Sequence, residues 1–216
     1  MKSILCYGDS LTWGASPEMG GPRHAFEDRW PSALERGLAG AARCIAEGLG
    51  GRTTVHDDWY ANADRNGSRV LPTLLSSHGP LDMVIIMLGT NDIKPFHGRT
   101  ALEASWGMRR LVQIVRGHAA GERWPEPKMI LVAPPSTVMA NAHPEMMLHF
   151  GNDAHLVASA GFAEMYKLRA QEEGIGFFNA GSVAKTSVSD GIHLDATNTR
   201  AIGEGLVPLV KQMLGL

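Results

Sequence analysis

Five short apolar runs punctuate the chain: "SILCY" at 3–7, "RCIA" at 43–46, "DMVIIML" at 82–88, "KMILVA" at 128–133 and "IGFF" at 175–178. Several are unbroken rather than alternating, which suits strands covered on both faces, as in parallel sheets. Between them, apolar positions recur at helical spacing and predict helices near 30–39, 66–77, 101–119, 156–173 and 197–214. Met108, Leu111, Val112 and Val115 share one helical face, as do Ile202, Leu206, Leu209, Val210 and Met213. Pro208 is expected to kink that last helix or disturb its ladder. Strands that alternate with helices are joined by crossovers, so their neighbours run parallel. The pattern predicts a three-layer α/β/α domain spanning 1–216, with a five-stranded parallel sheet in flavodoxin-like order.

Composition narrows the class. The 216 residues are 44% hydrophobic and 19% charged, and a chain of this size buries roughly 70% of its unfolded surface, so a core forms without metal or disulfides. Cys6 and Cys44 lack metal or redox spacing and read as packed thiols in a reducing compartment, with the cytoplasm the expected location. A net charge of −2 carries no footprint for nucleic acid or anionic lipid. No apolar run reaches membrane-spanning length, and "MKSILCYGD" is too short for a secretory leader. "VHDD" at 55–58 has metal-binding residue types but no second ligand cluster, so no metal and no cofactor is expected.

Open α/β sheets place their sites outside the carboxyl ends of the strands. There this chain puts "GDS" (8–10) after the first strand, "EGLGGRTT" (47–54) after the second, "GTND" (89–92) after the third and "DGIH" (190–193) beyond the fifth. A hydroxyl, a glycine turn, a side-chain amide and a carboxylate–imidazole pair are the parts acyl transfer needs. Ser10 is the candidate nucleophile, and His193 its base, since an unassisted hydroxyl is weak. Asp190, three residues before His193, can hold the imidazole in the accepting tautomer. The backbone N–H groups of Ser10 and Gly51 and the amide of Asn91 are candidate donors to the oxyanion. Substrate contacts are assigned to Leu11, Trp13, Met146, Phe150 and Ile192. Two of these, Met146 and Phe150, belong to a long Met-rich segment, 133–155, expected to leave the fourth strand as a loop, overhang Ser10 and form, with Trp13, a partly closed entrance.

Taken singly, each element has an ordinary reading. Gly-Asp-Ser and Asp-Gly are common turns, Gly50-Gly51 suits a positive-φ loop, and Asn91-Asp92 suits a helix cap. Together and in order, "GDSLTWG", Gly51, "GTND" and "DGIH" resemble the four sequence blocks of the SGNH, or GDSL-type, hydrolases, and more closely their arylesterase and acyltransferase branch. The resemblance spans the whole chain. It implies the flavodoxin-like sheet, a Ser10–His193–Asp190 triad, an oxyanion hole of Ser10, Gly51 and Asn91, and small esters as substrates. It also suggests a homo-oligomer. The second block departs from the family's pattern in carrying Glu47 where Asn is common. Carbohydrate deacetylation, lipid or thioester cleavage, and a non-catalytic ligand-binding module remain alternatives.

Overall fold

The computed structural model describes residues 1–18, 20–98 and 100–216. In chain order, β1 (Lys2–Gly8) leads to α1 (Ser10–Trp13) and α2 (Trp30–Gly37); β2 (Ala42–Gly48) leads to α3 (Gly67–His78), and β3 (Met83–Met87) to α4 (Ala101–Glu122). After β4 (Lys128–Ala133) come α5 (Pro144–Phe150), α6 (Ala154–Ala160) and α7 (Phe162–Glu173), and β5 (Gly176–Asn179) precedes α8 (Ala196–Leu214). The strands form one parallel sheet in the order β2-β1-β3-β4-β5, with Ile4 opposite both Cys44 and Met83.

Strand side chains alternate between two cores. Leu5, Tyr7, Val84, Ile86 and Leu131 pack with Leu71 of α3, with Met108 and Leu111 of α4 and with Tyr166 of α7. Ile4, Cys6, Met83, Ile85 and Ile130 pack on the other side with Trp30 and Leu34 of α2 and Ile202 and Leu206 of α8. Burial on both faces is why the strand runs are continuously apolar. Each such aliphatic side chain contributes about 1.5–3 kcal/mol relative to exposure. Helix starts follow their caps: Thr100 and Glu103 form a reciprocal capping box at α4, and Asp195 accepts from Asn198 N–H at 2.8 Å to begin α8.

One expectation is corrected in the helices. The stretch 156–173 is not one helix but α6 and α7, which break at Gly161, a weak helix former. α8 continues through Pro208 as a single helix. Pro208 and Glu204 are both exposed, so water can serve the Glu204 carbonyl that proline leaves without its usual donor.

Candidate active site

β1 ends at Gly8, and the Asp9 carboxylate caps the four-residue α1 by accepting from Leu11 N–H at 2.9 Å. Ser10 is therefore the first residue of a turn held against the strand ends. A Cβ on Gly48 of β2 would stand 2.2 Å from the Trp13 nitrogen, so glycine lets α1 lie directly on β2. From the far side, Trp30 Nε1 donates to Thr12 Oγ1 at 3.1 Å.

His193 arrives on a loop folded on itself: Gly191 N–H donates to Ser187 O at 2.9 Å and Ser187 N–H to His193 O at 2.8 Å. His193 Nδ1 lies 2.5 Å from Asp190 Oδ2, and Nε2 lies 3.0 Å from Ser10 Oγ. With a carboxylate as acceptor, Nδ1 carries the proton and Nε2 of the neutral ring accepts from Ser10. Asp190 Oδ1 also accepts from the N–H groups of Ile192 (3.0 Å) and His193 (2.9 Å). Burial alone would push the Asp190 carboxyl up, but its bond with His193, the imidazole charge and these backbone donors hold it below the usual carboxylate range.

On the other side of Ser10, a Cβ on Gly50 would stand 3.9 Å from the Ser10 Cβ, so the glycine turn borders the nucleophile. Gly51 has φ of +83°, the left-handed region that favours glycine. The N–H groups of Ser10 and Gly51 have no acceptor among the described residues. Asn91 differs: its Nδ2 donates to Arg52 O at 3.1 Å and to Asp9 Oδ2 at 3.3 Å, so both amide hydrogens have protein acceptors. Asp92 beside it accepts from Thr54 N–H at 3.1 Å and from the Thr54 hydroxyl. Glu47, the residue that departs from the family's pattern, pairs with His78 Nε2 at 2.8 Å. This arrangement supplies a hydroxyl with an oriented base and a cluster of N–H groups nearby, the chemistry for attack on a carbonyl.

The candidate substrate contacts are less uniform. Leu11 and Ile192 are buried, Leu11 among the core residues Cys6 and Trp30. Phe150 is buried too, with the Lys94 ammonium 5.3 Å from its ring centre. Met146 is half-buried, and Trp13 is 37% exposed beneath the Arg23 guanidinium. The segment 133–155 is not a plain loop, since it contains α5 and the start of α6. Its residues 138–143 bond to the loop that carries His193: Val138 N–H to Gly191 O at 2.9 Å and Asn141 N–H to Val188 O at 2.8 Å. Met147 and Phe150 pack inward, whereas Met139 and Leu148 are exposed. Sequence reading passed over Asp9, Arg52, Thr54 and Lys94, all buried around Asn91. The one signal, for Asp9 and Arg52, was charge next to the strand-end glycines, a pattern that surface turns share.

Residues 6–198 match the sequence model of the GDSL-like lipase/acylhydrolase family. No curated relative matches the chain. Among solved structures, it is similar to a carbohydrate acetylesterase family member from Sinorhizobium meliloti, with 49% identity, 100% of both chains covered and a TM-score of 0.93. A second carbohydrate acetylesterase from that organism is 40% identical over 99% of this chain and 100% of its own, with a TM-score of 0.91. The aryl esterase of M. smegmatis is 39% identical over the same shares, with a TM-score of 0.92.

Proposed function

The chain belongs to the GDSL-like lipase/acylhydrolase family, and from that premise we propose that it is a serine esterase that cleaves small carboxylic esters through an acyl-enzyme on Ser10. The observation that carries this reading is the hydrogen-bonded chain from Asp190 through His193 to Ser10. His193 Nε2 takes the Ser10 proton as Oγ attacks the ester carbonyl. The oxyanion that forms is met by the N–H groups of Ser10 and Gly51 and by Asn91 Nδ2, whose longer bond, to Asp9, is the one it competes for. His193 then returns the proton to the leaving alcohol, and water, or a second alcohol, enters by the reverse route. No step requires a metal or cofactor.

Similarity to an aryl esterase and to carbohydrate acetylesterases supports short acyl groups, acetyl above all, on aryl or sugar alcohols. Deacetylation of a carbohydrate is the second reading, favoured by the 49% identity to the Sinorhizobium meliloti acetylesterase family member. Two free cysteines, Cys6 and Cys44, on neighbouring strands fit a reducing cytoplasm. Exposed Trp106 and Val157, near an apolar groove lined by Ile93, Leu102 and Met165, support association of the chain with itself.

Treatment with an aryl fluorophosphonate followed by peptide mass spectrometry tests the assignment. The adduct is expected on Ser10, and an adduct on Ser32, Ser136 or Ser182 overturns it. Ser10→Ala and His193→Ala should each reduce ester cleavage to near background, and the double variant should be little worse than either.

A further inference from the structure

Arg52, next to Gly51, is only 3% exposed, yet its guanidinium forms no ion pair with a carboxylate among the described residues. Burying a cation without a bonded counter-charge is costly, and the Glu47 and Asp9 carboxylates offset only part of that cost from beyond bonding distance. Its Nη1 donates to two main-chain carbonyls, Gly8 O at the end of β1 (2.8 Å) and Glu47 O near the end of β2. The guanidinium carbon lies 4.3 Å from the centre of the Tyr7 ring, a cation–π arrangement that fixes its plane. The Arg52 main chain is tied as well, with N–H donating to Leu49 O at 3.0 Å and C=O accepting from Asn91 Nδ2 at 3.1 Å.

These contacts share a pattern. Gly8 is two residues before Ser10, Glu47 is the last but one residue of β2 before the turn that presents Gly51, and Asn91 is bonded to Arg52 itself. Satisfying stray carbonyls is not a sufficient explanation, because Gly8 O already accepts from Leu49 N–H at 3.1 Å. The ladder pairs Gly8 with Gly48, and a planar cation bonded across both strand ends braces that pairing where it gives way to the turns. We propose that Arg52 is the positioning residue of the oxyanion hole: it clamps β1 to β2 through Gly8 O and Glu47 O and anchors Asn91 through its own carbonyl, so that three donors from three strands converge on one point. This rests on the serine-esterase reading above. Misplacing such donors by a fraction of an ångström weakens the transition state more than the bound ester.

The test compares Arg52→Met, which keeps an unbranched stem but removes the charge and the donors, with Arg52→Lys, which retains a cation. Turnover is expressed per active site titrated by an aryl fluorophosphonate, so loss of folded protein does not enter. For p-nitrophenyl acetate, Arg52→Met should lower kcat by about 10- to 100-fold with KM within about threefold, and Arg52→Lys should fall between it and the parent. In an Asn91→Ala background, the same Arg52→Met change should cost clearly less, because the donor it serves is gone. Unchanged turnover per titrated site, or full additivity with Asn91→Ala, overturns the proposal. If Arg52→Met yields no titratable sites, Arg52→Lys carries the same comparison. Ser10→Ala run alongside separates the two readings: residual activity there removes the serine mechanism, whereas an inactive Ser10→Ala beside a normal Arg52→Met removes only the positioning role.

Discussion

Asp9 and Asp92 are buried on either side of Asn91, and burial pushes their carboxyls up to about 6 and to about 7, the second also through repulsion from Asp9. Bonds from Leu11 N–H to Asp9, and from the Thr54 hydroxyl and N–H to Asp92, oppose the rise without cancelling it. An unfolded aspartate ionises near 3.9. Between about pH 4 and pH 7 the folded protein therefore holds more protons than the unfolded chain, and stability from these groups falls as pH rises through that window. Asp92→Asn removes the larger share and keeps an oxygen that can accept from Thr54. Its melting temperature relative to the parent should therefore move upward between pH 4.5 and pH 8, by roughly 3 °C or more. The same offset at pH 4.5, 6 and 8 in parallel thermal melts would mean that Asp92 does not change its proton affinity on folding.

Among the elements, α1 has the smallest size and the largest consequence, since one turn carries Ser10 and has almost no helical stability of its own. Its position comes from what it lies on. Besides the close approach at Gly48, a Cβ on Gly8 would stand 2.0 Å from Thr12 Oγ1. Gly48→Ala must displace the Trp13 backbone, and is expected to destabilise the protein by about 1–3 kcal/mol. It should also lower kcat per titrated site, because Ser10 moves with the turn. Gly117→Ala on α4, where an added Cβ meets nothing within 4 Å, is the control and should stabilise by roughly 0.5–1 kcal/mol without touching turnover. Equal turnover per site in the two variants would show that α1 can shift without carrying the nucleophile out of reach.

At the scale of the molecule, the acyl site proposed above is bounded by two segments from the second half of the chain. The loop bearing His193 is bonded to residues 138–143, and Met147 stands against Gly191, since a Cβ there would be 2.9 Å from Met147 Cε. Such a braced wall has little freedom to retreat from a long chain. Across p-nitrophenyl esters from acetyl to decanoyl, kcat/KM should be greatest at acetyl or propionyl and fall by roughly tenfold or more at octanoyl. Benzyl alcohol added to the acetyl assay should divert part of the acyl-enzyme to benzyl acetate. A maximum at octanoyl or longer, with no benzyl acetate by gas chromatography, would remove the restricted-entrance reading and leave the Ser10 chemistry intact.

What the sequence determined by itself was whatever local pattern carries. The central strands β1, β3 and β4 lie where their apolar runs do, because burial on both faces leaves little room for polar residues, whereas the edge strands β2 and β5 are only partly buried. The faces of α4 and α8 follow from helical spacing, and Ser10, Gly51, Asn91, Asp190 and His193 were legible as candidates because each sits in a short motif beyond a strand end. Tertiary structure alone decided the rest. Whether 133–155 stays open or forms α5 depends on its packing beside 188–191, which no periodicity in the segment records. Asn91 looked like a pair of free donors, yet its acceptors, Arg52 O and Asp9 Oδ2, lie 39 and 82 positions away. Arg52 carries no signal of its own in the sequence beyond its charge next to the glycines, and it becomes a buried clamp only when parallel pairing sets Gly8 beside Gly48 and brings the ends of β1 and β2 together. Spacing along the chain encodes which surface of an element is apolar; which distant carbonyl meets a given side chain is set by how the sheet pairs.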